Sequence, residues 1–219
     1  KEANISKILS PLIPKSILCI GLNYKKHAEE LGNKVPSEPL FFLKPDSSIL
    51  TRKHAFYLPD WTDDVQYEVE LVIKIRKLGK GIQKKFAPRY YSMVGLGIDF
   101  TARDVQDQLK SQGHPWEKAK GFDGSAVVSH EFIPLKDLGG DIQNLKFELK
   151  KNENVVQSGN SSDMIFSVDD LIVYLSKYMT LKTGDLIFTG TPAGVGPVKK
   201  GDLLTGTLEG NHMFDVRVR

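Results

Sequence analysis

The chain is poor in the features that mark proteins for export, membranes or nucleic acid. It holds one cysteine, Cys19, set in the apolar run Ile17-Leu18-Cys19-Ile20. A single thiol excludes an intrachain disulfide and a thiolate metal cluster, and the apolar setting predicts an inert, buried group. No apolar run approaches the ~18 residues of a membrane span, and the given N-terminus shows no signal-peptide h-region. Blocks of like charge are missing too: 30 Lys and Arg face 27 Asp and Glu, for a formal net charge of +3, and the lysines come singly or in pairs. That spread is expected of an ordinary solvated surface and argues against nucleic acid as a partner. Internal repeats and low-complexity segments are also missing. The expectation is a soluble protein with no membrane partner, cytoplasmic, or in the mitochondrial matrix if the source is eukaryotic.

What is present suffices for a core. With 219 residues, 40% of them hydrophobic, the chain can build one full domain. A short N-terminal extension is read over residues 1–15 and the domain over 16–219. Strand-like runs punctuated by Gly, Pro, Asn and Asp dominate: 17–21, 40–44, 69–75, 93–100, 146–150, 186–189 and 213–218. Helical spacing is confined to 24–31, 101–112 and 168–178. The fold class is therefore mainly β with short helices (α+β). Thr101 with Asp104 fits a capping box for the middle helix, and Leu171, Ile172 and Leu175 make the apolar stripe of the last. The first helix is short and rich in Lys and Glu, and a loop-forming run follows it at 32–39, so it reads as a lid with little apolar surface to pin it.

The stretch Gln66-Tyr67-Glu68-Val69-Glu70-Leu71-Val72-Ile73-Lys74-Ile75 carries the first chemical signal. On a strand, residues two apart share a face, so Glu68 and Glu70 lie side by side with Lys74, opposite the apolar face of Val69, Leu71, Ile73 and Ile75. Either that face is solvated, or a hard cation with oxygen ligands cancels the repulsion. Asp99 ends another strand just before a helix, and serves either as a turn residue or as a third ligand. Arg103 and Gln106, three apart on that helix, suit the carboxylate of an anionic substrate or form a surface pair with Asp107. His27 and Glu30 share a helical face, either as an ordinary surface pair or as a base and its orienting acid. Lys44 and Lys120 end apolar or glycine-flanked segments, where a lysine is either plain surface or a counter-charge to an oxyanion. The run Thr189-Gly190-Thr191-Pro192-Ala193-Gly194-Val195-Gly196 is no P-loop, since a turn and strand follow it. It still offers backbone N–H groups and the Thr191 hydroxyl to an anion.

Taken together, several ordered segments resemble the fumarylacetoacetate hydrolase family, most closely its short single-domain branch of acylpyruvases and oxaloacetate decarboxylases. They are Gly21-Leu22-Asn23-Tyr24 with His27, Phe42-Leu43-Lys44-Pro45, Glu68-Val69-Glu70-Leu71, Asp99-Phe100-Thr101-Ala102-Arg103-Asp104-Val105-Gln106, Lys120-Gly121-Phe122-Asp123 and the 189–196 loop. The resemblance implies a mixed β-sandwich roll, a homodimer, and Mg2+, or Mn2+ in its place, held by Glu68, Glu70 and Asp99. It also implies a water-activating dyad of His27 and Glu30, charge stabilisation by Lys120, and a substrate shell of Lys44, Arg103, Gln106 and Thr191. Leu22 departs from the pattern, because close acylpyruvate-cleaving relatives often carry Arg there, and a leucine cannot pair with a second substrate carboxylate.

The implied substrate is a small 2-oxo acid. The expected reaction is cleavage of the C3–C4 bond of 2,4-dioxo acids, giving pyruvate and a carboxylic acid, or decarboxylation of oxaloacetate through a metal-stabilised pyruvate enolate. The rivals are an isomerase, tautomerase or decarboxylase of 2-hydroxy-dienoate acids in aromatic catabolism, and a metal-binding interaction protein without turnover.

Overall fold

The structure is a computed structural model that describes residues 16–51 and 55–219, so the expected extension over 1–15 lies outside the described residues. In chain order the strands are β1 (Ile17–Gly21), β2 (Leu40–Lys44), β3 (Val65–Tyr67), β4 (Val69–Lys74), β5 (Met93–Asp99), β6 (Thr101–Ala102) and β7 (Ala126–Val128). There follow β8 (Ile133–Pro134), β9 (Lys146–Lys151), β10 (Asn154–Asn160), β11 (Leu186–Phe188), β12 (Gly196–Pro197), β13 (Leu203–Leu208) and β14 (Asn211–Arg217). The helices are α1 (Lys25–Glu30), α2 (Arg103–Gln112), α3 (Glu117–Lys120) and α4 (Val168–Tyr178).

A seven-stranded sheet runs β2-β1-β11-β4-β5-β7, with β8 beside β5. The pair β1–β11 is parallel and its neighbours are antiparallel, which makes the sheet mixed. A four-stranded antiparallel sheet, β10-β9-β13-β14, packs against it, and a small sheet, β12-β3-β6, caps one end. The central strand β4 is buried on both faces. Val69, Leu71 and Ile73 enter the main core, while Val72, on the face of Glu70, joins a smaller cluster with Ile17, Cys19, Ala126, Leu186 and Phe188. The acid-bearing face is therefore dry, and solvation does not explain the two glutamates.

One antiparallel pair passes between two sheets. Val69 opposes Ile98 and Glu70 opposes Gly97 in the large sheet, while Gln66 opposes Thr101 and Val65 opposes Ala102 in the small one. The register is unbroken across the junction, where the Asp99 N–H donates to the Glu68 carbonyl at 2.8 Å. Glu68 and Asp99 are thus cross-strand neighbours at the point where both strands change sheet. Thr101 and Ala102 are held extended by this pairing, and so the expected Thr101–Asp104 capping box does not form. Helix α2 begins only at Arg103, and Asp104 instead accepts from Thr62 Oγ1 at 2.5 Å and the Asp63 N–H at 3.0 Å. The capping box present lies on α4, between Ser167 and Asp170, and the expected stripe of Leu171, Ile172 and Leu175 is buried.

Helix α1 is held more firmly than its charge pattern suggests. Tyr24 and Ala28 are buried, and Asn23 donates to the Thr189 carbonyl at 2.8 Å and the Phe166 carbonyl at 3.1 Å. Its oxygen accepts the Phe166 N–H at 2.8 Å. The expectation of little apolar surface is corrected here: Lys25, Lys26 and Glu29 face outward, and the opposite side is core.

Gly97 leaves the space on which this packing depends. A Cβ there would stand 2.5 Å from the Val127 carbonyl oxygen and 2.7 Å from the Phe188 ring. The backbone neighbour cannot step aside within a paired sheet, so Gly97→Ala is expected to destabilise by about 1–3 kcal/mol, the usual range for overpacking. Urea unfolding checks this: the midpoint falls and the slope stays fixed, whereas an unchanged midpoint means the sheet has slack.

Candidate metal centre and active site

Three carboxylates meet where the two strands change sheet. Glu68 and Glu70 point to one side of the first strand, Asp99 faces them from the second, and ligand oxygens from all three lie within 4.8 Å of one another. All are buried. Like charges opposed across strands are destabilising, and burial raises that cost, so the cluster needs cations.

The chain's own cations satisfy two of the three. Lys120, at the end of α3, stands 2.8 Å from Glu68 Oε2 and 2.9 Å from Asp99 Oδ2, and also donates to Thr101 Oγ1 at 2.5 Å. Arg103, the first residue of α2, pairs with Glu68 through Nη2 and donates to Gln66 Oε1 at 3.0 Å and Gln106 Oε1 at 2.6 Å. Lys44, at the end of β2, reaches Asp99 Oδ1 at 2.7 Å from behind. Burial alone would raise the Glu68 carboxyl, but Lys120 and Arg103 outweigh it and hold the group well below the usual carboxylate range. Burial opposes the charge on Lys120 as well, yet Asp99 and Glu68 raise its pKa, so it stays an ammonium.

Glu70 is the exception. Burial pushes its carboxyl well above the usual range, with Asp99 and Glu68 pushing the same way, against one hydrogen bond from the Gly190 N–H at 2.7 Å. Among the described residues no cation pairs with it. A buried carboxylate with one donor, beside two others and facing a cavity, fits a hard divalent ion with oxygen ligands.

His27 faces the same cavity from α1, with Nδ1 at 3.3 Å from Glu30 Oε2. A proton held there leaves the Nε2 lone pair free. Burial lowers its pKa further than Glu68 and Glu30 restore it, so the ring is neutral near pH 7. Glu30 is fixed in turn by the Gly194 N–H at 3.0 Å. The glycine loop does bind anions through its N–H groups, but they are the protein's own carboxylates, Glu70 at Gly190 and Glu30 at Gly194. At Gly190 the backbone has φ +98°, and a Cβ would lie 2.7 Å from that of Asn23, so no side chain fits.

The cavity between these elements is lined by His27, Glu68, Glu70, Asp99, Arg103, Gln106, Lys120 and Thr191, together with Leu22, Leu31, Phe42, Lys110 and Trp116. Glu30 stands behind His27. Lys44 is placed differently from the expected substrate shell: its ammonium is spent on Asp99, Ser125 Oγ at 2.9 Å and backbone carbonyls, away from the cavity wall. Sequence reasoning missed Gln157 on β10. Its oxygen accepts the Val69 N–H at 2.9 Å, and its nitrogen donates to Thr191 Oγ1 at 2.8 Å and to the Pro192 carbonyl at 2.9 Å. With its oxygen already accepting, the Thr191 hydroxyl has its proton to give to a guest. A lone glutamine on a strand has no local signal for such a role.

The charge balance predicts a pH response in chelator. Glu70 has a folded pKa above its unfolded value near 4.3, so the folded protein keeps a proton that the unfolded chain releases, and stability falls as pH rises from about 4.3 toward the raised pKa. Glu68 acts in the opposite sense, since its lowered pKa contributes stability above about 4.3 that is lost as pH falls. Glu70→Gln is therefore expected to flatten the loss of Tm as pH rises above about 4.3 while leaving the acid limb. Parallel curves for the two proteins would rule out Glu70 as the source.

Residues 16–219 match the fumarylacetoacetate (FAA) hydrolase C-terminal family. The oxaloacetate tautomerase YcgM of Escherichia coli is 41% identical over 202 residues, covering 92% of this chain and 91% of that one. The mitochondrial oxaloacetate decarboxylase of Dictyostelium discoideum is 44% identical over 210 residues, 94% of this chain and 95% of that one. Among solved structures, the fumarylpyruvate hydrolase of Pseudomonas aeruginosa in complex with Mn2+ and pyruvate superposes with a TM-score of 0.86 at 32% identity, covering 96% and 98% of the two chains. Family match, near full-length relatives and shared fold agree: this chain belongs to the fumarylacetoacetate hydrolase family.

Proposed function

We propose that the chain is a divalent-metal-dependent enzyme that moves a proton at C3 of a small 2-oxo acid of the oxaloacetate kind, interconverting its enol and keto forms. The observation that carries this reading is a neutral imidazole facing three buried carboxylates across one cavity. Glu68, Glu70 and Asp99 are the proposed ligands of Mg2+ or Mn2+, which when bound supplies Lewis-acid polarisation of the 2-oxo group. Arg103 has five N–H donors, three of them engaged within the protein, so two remain for the substrate's 1-carboxylate. Gln106 and the Thr191 hydroxyl complete that anchor. Polarisation acidifies the C3 proton, and His27 Nε2 takes it and returns it at oxygen or carbon, with Glu30 steadying the imidazolium. Lys120 is held protonated with its three N–H groups on Glu68, Asp99 and Thr101, so it acts on the negative charge that develops on oxygen through its own charge and not through a hydrogen bond.

Decarboxylation of oxaloacetate requires no base, so it leaves His27 without a task. It remains a reaction open to the same polarised substrate, in keeping with the name of the Dictyostelium relative. Hydrolysis of a 2,4-dioxo acid is the second reading, favoured by the Glu30–His27 hydrogen bond, because the same base can deprotonate a water instead of C3.

The decisive assay follows the ultraviolet absorbance of enol-oxaloacetate with Mn2+, against a control containing metal alone. The expected result is an acceleration over that control, with kcat/KM falling about 10²-fold or more in His27→Ala. In the wild type, kcat/KM should hold down through about pH 6.5, the ordinary histidine value, and drop only at lower pH, because burial lowers the His27 pKa and only neutral imidazole accepts a proton. No acceleration over metal alone sinks the tautomerase reading. Pyruvate released from a 2,4-dioxo acid at a higher kcat/KM than enol turnover would establish the hydrolase instead.

A further inference from the structure

We propose that Lys110 receives the distal carboxylate of the substrate and so selects dicarboxylic 2-oxo acids over monocarboxylic ones. The inference rests on the reading of the cavity as a 2-oxo acid site and adds to it the end of the substrate that the metal cluster does not touch.

Lys110 lies on α2 with Arg103 and Gln106, at spacings of three and four residues that put all three on one face. At 1.5 Å of rise per residue, the step from Arg103 to Lys110 is roughly 10 Å along the axis, and long helical side chains lean back toward the N-terminus. Its ammonium therefore serves the part of the cavity beyond the guanidinium. Lys110 lines that cavity and is half-buried, with Nζ 5.5 Å from the centroid of the Trp116 ring. Among the described residues no carboxylate pairs with it, although Lys44, Lys120 and Arg103 all have acids within ion-pair distance. A half-buried cation with no acid within ion-pair distance is disfavoured until an anion arrives: burial, Arg103 and Lys120 lower its pKa, and the more distant pull of Asp107 and Glu68 does not restore it.

The lining also includes Leu22, Leu31, Phe42 and Trp116, none of which carries a charge. Charge balance points the same way. With Lys44 behind Asp99 counted, four cations (Lys44, Arg103, Lys110 and Lys120) face three carboxylates, so a bound divalent ion leaves an excess of positive charge that favours a dianion over a monoanion.

The test compares two ligands on the Mn2+-loaded protein by calorimetry: oxalate, which has no distal group, and 3,3-difluorooxaloacetate, a diacid that cannot enolise. Lys110→Met keeps the aliphatic stem against Trp116 and removes the charge. The expected result is a Kd for the diacid raised about tenfold or more, a Kd for oxalate changed by less than about twofold, and recovery of diacid binding in Lys110→Arg. An unchanged diacid Kd in Lys110→Met, or an equal loss for both ligands, overturns the assignment. These are binding measurements, so they decide the role of Lys110 even if the wild type fails to accelerate enol turnover, a failure that would count against the proposed reaction alone.

Discussion

Three carboxylates packed within 4.8 Å of one another in a dry interior form the constraint around which this molecule is arranged. Left alone, such a cluster would protonate or unfold its surroundings, because charge repulsion and desolvation act in the same direction. Lys120 and Arg103 converge on it from the consecutive helices α3 and α2, and Lys44 from β2, distant in the chain. Their arrival is asymmetric: Glu68 and Asp99 receive ammonium or guanidinium partners, and Glu70 receives a single peptide N–H. The protein thus stabilises most of its burden with its own charges and leaves one carboxylate short of a cation. That shortfall is what makes the centre fit for a metal, since a fully paired cluster would gain little from binding one.

The backbone explains why the charges can be placed so closely. The shared register alone sets Asp99 across from Glu68, on the face that carries Glu70. Here both strands leave the large sheet for the small one at the same register position, so Glu68 and Asp99 face each other at the bend. Gly97, opposite Glu70, leaves room for the Phe188 and Val72 side chains of neighbouring strands to close over this part of the sheet. Burial of β4 on both faces excludes water, and the low dielectric that makes the acids costly also strengthens their ion pairs.

Much of this was legible in the sequence wherever local pattern and function coincide. The acid spacing on β4, the strand-end Asp99, and the helical spacing of Arg103 with Gln106 and of His27 with Glu30 are visible as residue patterns, and the structure brings them all to one region. The illegible parts depend on contacts distant in sequence. Gln157 acts on Val69 and Thr191 because the β9–β10 hairpin, with a register shift between Val155 and Gln157, delivers it there. Lys44 sits at a strand end, where sites collect, yet β1 and β2 place it behind Asp99 instead of in front. The Thr101–Asp104 pattern misled because pairing with β3 outcompetes helix entry. Strand β10, interrupted by glycine and polar residues, lacks the alternation that betrays a strand and owes its state to its neighbours.

The glycine loop ties the two halves of the centre into one unit. Its Gly190 N–H holds Glu70 on the carboxylate side, and its Gly194 N–H holds Glu30 on the imidazole side, so a shift of the loop would move both. The loop is itself fixed by Asn23, whose amide reaches the Thr189 carbonyl and both polar groups of Phe166. Immediately before Asn23, Leu22 adopts φ +56°, a left-handed conformation that costs a non-glycine residue on the order of 1–3 kcal/mol unless its surroundings enforce it. The enforcement is visible: β1 ends at Gly21, and the Asn23 hydrogen bonds allow the intervening residue no relaxed alternative. The strain aims the Leu22 side chain into the cavity wall. One set of hydrogen bonds therefore orients Glu70, Glu30 and the Leu22 wall about one cavity, which is why a six-residue helix with a mostly charged exterior can hold His27 in a defined place.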